Sequence, residues 1–297
     1  MKIVRISGGL GNQLFQLAFY EKLSRDFPDE EIKIDLSFYK DQNCLSYWLY
    51  RKLRKIPYRK FMFNEQLNNE KLDSIDLLSK LYKRELKVRL VVVLNYLIPL
   101  RSIFKLTNIN LINENNFDNY EISEADVIYD GYWQNIRYVR NGKFFIVGIL
   151  KDRFFKEFVQ NRTSNIVLHI RRGDQATVLS SNIYSILNID YYERAINYIK
   201  LQGECFNEIT ICSDDIQWCK ENVQKLTGVE KINYSNSSSM IQDFLLMFNA
   251  KYLISSNSTF SWWAGYVGNS VEFLIPKRWY TSSPSEFINE SNRIIEI

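Results

Sequence analysis

The sequence predicts an α/β protein built from two Rossmann-like domains. It opens on a strand–glycine turn–helix–strand pattern, and its second half alternates short apolar runs with helical stretches. Such alternation is typical of a parallel sheet with right-handed crossovers. At 297 residues the chain is long enough for two domains of ordinary size. We place them at residues 1–155 and 156–297, facing each other across a cleft.

The first domain begins with the opening pattern. Its candidate elements are a strand at 2–7, a glycine turn at 8–13, a helix at 14–26, a strand at 31–36 and a closing strand at 126–133. Asp35 lies 24 residues after Gly11, near the position of the ribose-binding acid in dinucleotide-binding folds. Leu14 replaces the third glycine of that motif. An NAD(P)-dependent oxidoreductase is therefore one alternative function.

The middle of the first domain is strongly basic and has no regular pattern. Six of the ten residues 51–60 are Lys or Arg, and an apolar run at 90–100 is flanked by further basic residues. The stretch from Arg51 to Arg101 could therefore make peripheral contact with an anionic membrane surface. Alternatively, it is a solvated basic face followed by a core segment.

The second domain is more regular. Candidate strands are 166–170, 208–212, 230–234, 251–255 and 271–275, and candidate helices are 190–201, 214–225, 239–249 and 259–267.

The most informative stretch is the first of these strands and the turn that follows it. An apolar run is succeeded by Arg171, Arg172, Gly173 and Asp174. Ligands of open α/β sheets bind at the carboxyl ends of strands, and the arginine fork matches phosphate oxygens two at a time. The motif therefore indicates either a diphosphate clamp or a pair of surface arginines bound to Asp174.

His169 is the only histidine in the chain. Strand alternation places it on the same face as Arg171. It is either part of the same site or a buried core residue. A single histidine also excludes metal sites that need several histidine ligands.

A second candidate anion site lies at 255–265, where a strand leads into a helix through Ser, Asn and Thr residues. Hydroxyl groups and backbone N–H groups at a helix N-terminus bind anions. An ordinary helix cap, with Trp262 and Trp263 in the core, is the alternative. Two such sites in one sheet could converge on a single diphosphate.

Composition sets the remaining limits. The net charge of +4 suits an anionic ligand but is too small to indicate a nucleic-acid partner. The four cysteines have neither zinc nor disulfide spacing, and we expect them to be reduced and buried. The apolar runs are too short to span a membrane, and the start of the chain does not resemble a signal peptide. We therefore expect a cytoplasmic protein.

Three motifs, in this order along the chain, resemble those of bacterial α-1,2-fucosyltransferases, which form glycosyltransferase family 11. They are GGLGNQLFQLAFY, HIRRGD and SSNSTFSWWAGY, and SDDIQWCK between the last two is similar to that family as well. The resemblance implies a GT-B fold, a GDP-β-L-fucose donor, and inversion at the sugar carbon. It also implies a glycan acceptor with a terminal galactose, and catalysis without a metal or other cofactor.

The resemblance further implies the roles of individual residues. Arg171 and Arg172 hold the β-phosphate; His169 lies against the nucleotide or fucose; Asp243 accepts hydrogen bonds from guanine; Ser258, Thr259 and Phe260 bind phosphate; Gly11 and Asn12 reach the donor.

The sequence does not decide which side chain takes the proton from the hydroxyl group of the glycan. Asp174 is one candidate, although it could instead only orient the arginines, and His169 is the second. Asp214 and Asp215 could be mistaken for a metal pair, but they suit the N-terminus of the following helix better. A glycosyltransferase with another nucleotide-sugar donor is the closest alternative.

Overall fold

The computed structural model describes residues 2–43, 45–54, 58–64, 74–75, 110–114, 117, 127–154, 165–172, 187–223, 226, 228–235, 239–279 and 294–296. The chain separates into two compact units, Met1–Arg153 and Phe154–Ile297. Within the described residues, each unit contains a sheet whose strand pairs are all parallel. The predicted α/β class is confirmed.

The first unit contains a five-stranded sheet in the order β3-β2-β1-β5-β4. Its elements are β1 (Lys2–Arg5), α1 (Leu10–Asp26), β2 (Ile32–Asp35), α2 (Ser37–Asp41), α3 (Leu45–Arg54), β3 (Ser74–Ile75), β4 (Asn110–Ile112), β5 (Val127–Tyr129), α4 (Ile136–Val139), a 3₁₀ turn (Arg140–Gly142) and α5 (Lys143–Arg153). The central strand β1 is buried along its whole length, between β2 and β5.

The second unit contains a six-stranded sheet in the order β11-β10-β9-β6-β7-β8. Its elements are β6 (Ile166–Ile170), α6 (Ile189–Leu201), β7 (Glu208–Ser213), α7 (Ile216–Asn222), β8 (Lys231–Tyr234), α8 (Met240–Phe248), β9 (Tyr252–Ile254), α9 (Thr259–Val267), β10 (Glu272–Ile275) and β11 (Ile294–Glu296). The bounds of β6 and α9 are those predicted from the sequence.

Strand β6 is central because its residues suit burial on both faces. All five of its residues are buried, as expected for an aliphatic strand of a parallel sheet covered on both sides. Ile166, Leu168 and Ile170 pack in one apolar cluster with buried residues of α6 and β7. The strand therefore holds the residues that follow it, Arg171 and Arg172, on a rigid support.

The prediction for the start of α1 was wrong. The helix begins at Leu10 rather than at residue 14, so Gly11 and Asn12 belong to its first turn. Gly8 has a positive φ of 79°, which makes the turn, and Gly9 is the extended N-cap. The two glycines before the helix, rather than the start of its apolar pattern, set its first residue.

The closing strand predicted at 126–133 is also shorter than expected, since β5 ends at Tyr129. Trp133 is fully buried, has a positive φ of 56° and stacks on Phe19 with ring centroids 3.9 Å apart. The chain continues from this tryptophan into α4 and α5, two helices that the sequence pattern did not reveal.

The cysteine prediction holds only in part. Cys212 and Cys219 are buried and free, as expected, but Cys205 is exposed. Cys44 lies outside the described residues.

Candidate functional site

The two anion-binding motifs of the second unit meet at one edge of its sheet. Strands β6 and β9 are parallel neighbours, with Leu168 opposite Ile254, so their carboxyl ends lie side by side. Near these ends, Nδ1 of His169, the penultimate residue of β6, is 2.8 Å from Oγ of Ser256, two residues after β9. This buried hydrogen bond joins motifs that are 87 residues apart in the chain.

The carboxylate of Asp214, at the end of the neighbouring strand β7, holds the arginine turn with both of its oxygens. Oδ2 of Asp214 lies 2.9 Å from Nη1 of Arg171. Oδ1 accepts a hydrogen bond of 2.8 Å from the backbone N–H of Arg172. About a quarter of each side chain in the Arg171–Asp214 ion pair is exposed to solvent. A ligand at this edge can therefore reach a guanidinium group that is already oriented.

This role of Asp214 was not predicted. The sequence suggested Asp174 as the partner of the arginines, and Asp174 lies outside the described residues. The interpretation of the adjacent acids as a helix cap is right for Asp215, which accepts a 3.0 Å bond from the backbone N–H of Trp218, and wrong for Asp214. The pairing of β6 with β7 brings Asp214 to the arginines.

Arg172 follows a different path from Arg171. Its guanidinium carbon lies 4.1 Å from the centroid of the Trp218 ring. Its buried Nε has no hydrogen-bond partner among the described residues. A cation–π contact stabilises the charge without satisfying the donors of the guanidinium group. The two guanidinium groups thus have different partners, a carboxylate for Arg171 and an aromatic ring for Arg172.

His169 is almost completely buried, with 5% of its surface exposed. Burial, followed in size by the charge of Arg171, lowers its pKa to about 3. The hydroxyl of Tyr192 donates to the backbone carbonyl of His169 at 3.2 Å. At neutral pH the imidazole is therefore an uncharged, weakly basic group fixed in the core.

The N-terminus of α9 faces the same edge. Ser258 is its N-cap and makes no side-chain capping bond, while its carbonyl accepts the N–H of Trp262 at 2.9 Å. The N–H groups in the first turn of a helix have no acceptor within the helix. Thr259 and Phe260, which supply this turn, are partly exposed. The preceding loop is rigid because Ser255 and Ser256 are buried and hydrogen-bonded.

Asp243 belongs to a polar cluster at the ends of β7 and β8. Its carboxylate accepts a hydrogen bond from the hydroxyl of Ser235. Burial raises the pKa of the Cys212 thiol well above its ordinary value, and the charge of Asp243 and a hydrogen bond to it raise it further. The partly exposed carboxylate lies at the edge that also carries Arg171, where a base could contact it.

In the first unit, Gly11 and Asn12 lie in the first turn of α1. Gly11 is buried and Asn12 is partly exposed. Oδ1 of Asn12 accepts a hydrogen bond of 3.0 Å from Nε2 of Gln134. Gly11 and Asn12 therefore belong to the first unit, whereas Arg171 belongs to the second.

Asp35 does not serve as a ribose-binding acid. It is 1% exposed, and its Oδ2 lies 3.6 Å from Nε of Arg5 and accepts a 2.6 Å bond from the hydroxyl of Ser37. Burial raises the pKa of this carboxyl group although Arg5 opposes the shift. Asp35 was the expected ribose-binding acid of the oxidoreductase alternative, and its burial argues against that function.

The described residues contain no cluster of three or more His, Cys, Asp or Glu side chains that could hold a metal ion. No helix in the same part of the chain is long and apolar enough to cross a membrane.

Comparison with known proteins gives one family across the chain. The family model described as Glycosyl transferase family 11 matches residues 2–296. An alpha-1,2-colitosyltransferase of Escherichia coli is 29% identical over 286 residues, which cover 90% of this chain and 87% of that protein. The O-antigen biosynthesis glycosyltransferase WbnK of Escherichia coli is 24% identical over 290 residues, 94% of each chain. Among solved structures, E. coli ADP-heptose lps heptosyltransferase II has a TM-score of 0.43 and 11% identity, with 100% of this chain and 90% of that chain covered.

Proposed function

Since the chain belongs to glycosyltransferase family 11, we propose that it transfers L-fucose from GDP-β-L-fucose to the 2-hydroxyl of a terminal galactose on a glycan, with inversion at the sugar carbon. The observation that carries this proposal is the Arg171 guanidinium, which Asp214 holds at 2.9 Å on the sheet edge where α9 begins. We expect the two units to form a GT-B enzyme, with the donor on the second unit and the acceptor on the first.

The chemistry of the transfer matches this edge. The bond from the fucose C1 to the β-phosphate oxygen breaks, and a bond from C1 to the acceptor O2 forms. Negative charge develops on the departing diphosphate, where Arg171, Arg172 and the first turn of α9 would stabilise it. Donors fixed in position stabilise such charge without having to reorganise during the reaction.

Asp243 is the residue that we propose to recognise the guanine base. A carboxylate can accept hydrogen bonds from N1–H and the 2-amino group of guanine together, which adenine and uracil do not offer in that arrangement. Hydrogen bonds with Ser235 and Cys212 orient the carboxylate.

The proton of the acceptor hydroxyl needs a base, and Asp174 is our first choice. His169 was the other candidate, but its pKa of about 3 makes it a poor proton acceptor at neutral pH. Its hydrogen bond to Ser256 supports a different role, that of linking the arginine turn to the loop before α9.

A related GDP-sugar is the second candidate donor, because one relative is an alpha-1,2-colitosyltransferase. Colitose is L-fucose without its 3-hydroxyl, so the same phosphate and guanine contacts would serve both donors. Only contacts to that hydroxyl would distinguish them.

The experiment is a donor panel with lactose as the acceptor, performed after dialysis against EDTA. We expect GDP release and an α-1,2-linked product with GDP-fucose, and no rate increase when Mg²⁺ or Mn²⁺ is added, since Arg171 and Arg172 supply the positive charge. Faster transfer from GDP-colitose would favour the second candidate. Transfer from a UDP-sugar or ADP-sugar alone, or a requirement for metal, would contradict the proposal.

We also propose that the enzyme works in the cytoplasm, at the membrane surface. The basic stretch runs from Arg51 to Arg101, and the structure describes part of it. Its first residues, Arg51 to Arg54, are the last turn of helix α3. Leu45, Trp48 and Leu49 lie on one face of this helix and are 52%, 44% and 45% exposed, and the ammonium group of Lys52 lies 4.9 Å from the Trp48 ring. Exposed apolar side chains beside basic ones suit the surface of an anionic bilayer.

A further inference from the structure

The sheet of the first unit has a topological switch between β1 and β5. Strands β2 and β3 lie on one side of β1, and strands β5 and β4 lie on the other. In open parallel sheets, ligands bind outside the carboxyl ends of the strands at the point where the strand order reverses. The chain leaves β1 and β5 at this point through residues 6–9 and 130–135.

Side chains from separate parts of the chain meet there. The hydrogen bond from Gln134 to Asn12, at 3.0 Å, joins the loop after β5 to the start of α1. The hydroxyl of Tyr39, in α2, donates to the carbonyl of Gly8 at 3.3 Å.

Arg59 approaches the same turn from the segment after α3. A methyl group placed on Gly9 would lie 3.4 Å from its Nη1 atom. The side-chain amide of buried Gln42 fixes the Arg59 backbone. It donates to the Arg59 carbonyl and accepts from the Arg59 N–H, both at 2.9 Å. The guanidinium group is therefore attached to a rigid support.

Tyr132 adds an aromatic ring that is 46% exposed. It lies in the loop after β5, two residues before Gln134, whose side chain donates to Asn12. The ring therefore belongs to the same edge of the sheet as the turn at Gly8.

We infer that Tyr132, Gln134, Asn12 and Arg59 form the acceptor subsite and bind the terminal galactoside, with the Tyr132 ring packing against the apolar face of the sugar. This inference rests on the proposed function and specifies where its acceptor binds.

The composition of the cluster favours a sugar over a second phosphate. Amide side chains offer both donors and acceptors, as sugar hydroxyls require, whereas phosphate oxygens only accept. A half-exposed aromatic ring provides apolar area at low cost in conformational entropy. A phosphate site would need neither the ring nor the amide acceptors.

The test compares Tyr132→Ala and Tyr132→Phe in the full-length enzyme, with lactose as acceptor and GDP-fucose as donor. We expect Tyr132→Ala to raise the KM for lactose about tenfold, the loss expected for one aromatic contact. The KM for GDP-fucose should stay unchanged, and Tyr132→Phe, which keeps the ring, should resemble the wild type. Phe144→Ala is the matched control, because Phe144 is an aromatic residue of the same unit, 87% exposed, and on a different element.

An unchanged KM for lactose in an active Tyr132→Ala enzyme would overturn the inference, as would a rise in the KM for GDP-fucose alone. Saturation-transfer NMR with lactose separates this failure from that of the proposed function. The wild type could transfer no fucose and yet bind lactose in a way that Tyr132→Ala abolishes. In that case only the donor assignment fails. If the wild type transfers fucose to lactose and Tyr132→Ala binds lactose equally well, only the subsite fails.

Discussion

Asp214 orients Arg171 through an ion pair of 2.9 Å and fixes the next residue through its backbone N–H at 2.8 Å. One carboxylate thus controls both the side chain and the main chain of the arginine turn. A partner with the opposite charge holds a long, flexible side chain in one position, which is what a transition-state contact requires.

We predict that Asp214→Asn lowers kcat about tenfold or more, because the amide keeps the backbone contact but loses the ion pair with Arg171. Steady-state kinetics with GDP-fucose measures this. Asp215→Asn is the matched control, since Asp215 caps α7 and asparagine caps a helix about equally well, so both stability and kcat should stay nearly unchanged. A lower donor KM with full kcat in Asp214→Asn would mean that Asp214 competes with the donor instead.

For Arg171→Lys we expect kcat to fall about a hundred- to a thousandfold, with a smaller change in donor KM. Lysine keeps the charge but has no planar fork with which to hold two phosphate oxygens. Circular dichroism should show an intact fold. Near-normal kcat in this variant would rule out the phosphate clamp.

His169 should make folding sensitive to acid. Above about pH 6.5 the imidazole is neutral in both the folded and the unfolded chain. Below it, only the unfolded chain takes up a proton, until the folded pKa of about 3 is reached. Stability should therefore fall with decreasing pH in this window, by about 1.4 kcal/mol per pH unit.

Urea unfolding at roughly pH 7.5 and roughly pH 5 measures this effect, and the expected loss is about 2 kcal/mol from this residue. His169→Asn keeps a polar partner for Ser256 but cannot titrate, so its loss between the two pH values should be smaller by that amount. Equal losses in the two proteins would show that His169 is protonated more readily than its burial implies.

Asp243→Asn should weaken GDP binding about tenfold or more and leave the weaker binding of ADP and UDP nearly unchanged. The reason is that an amide cannot accept from both N–H groups of guanine at once. Titration calorimetry with the three nucleotides provides the measurement. Ser235→Ala serves as the control, because it removes a donor to the same carboxylate but keeps the carboxylate itself. Equal losses for all three nucleotides would make Asp243 a structural residue.

We expect the double variant Trp48→Ser, Leu49→Ser to bind anionic liposomes more weakly than the wild type, with kcat on lactose unchanged. Truncation removes the apolar contacts of α3 and leaves its basic residues. Liposome sedimentation at low and high salt measures binding, and Phe144→Ser controls for loss of an exposed aromatic residue elsewhere in the unit. Undiminished binding would exclude α3 as the membrane contact.

Local sequence signals predicted some elements well and could not predict others. Strand β6 and helix α9 are short, largely apolar segments with polar or glycine residues at their boundaries, so their bounds were predicted correctly. Helix α5 reads KFFIVGILKDR, and so short an apolar run does not distinguish a helix from a buried strand. The motif residues after β6 and β9 were expected at one edge, and the contact between His169 and Ser256 agrees with this expectation.

Contacts between distant segments were harder to infer. The pairing of Asp214 with Arg171 depends on the register of β6 and β7, which no local pattern reveals. Gln134 follows a strand whose end was misplaced, so its hydrogen bond to Asn12 was not foreseen. In each case the decisive information lies in the sheet order rather than in the residues near the side chain.

The parallel pairing of Lys2 with Val127 also constrains the order of events during synthesis. Strand β1 leaves the ribosome early, but its neighbour β5 follows only after more than a hundred further residues. Until then one edge of β1 has no partner, and an unpaired strand edge promotes aggregation. A nascent chain that stalls before residue 127 should therefore depend on chaperones, whereas one released after residue 153 contains every strand of the first sheet.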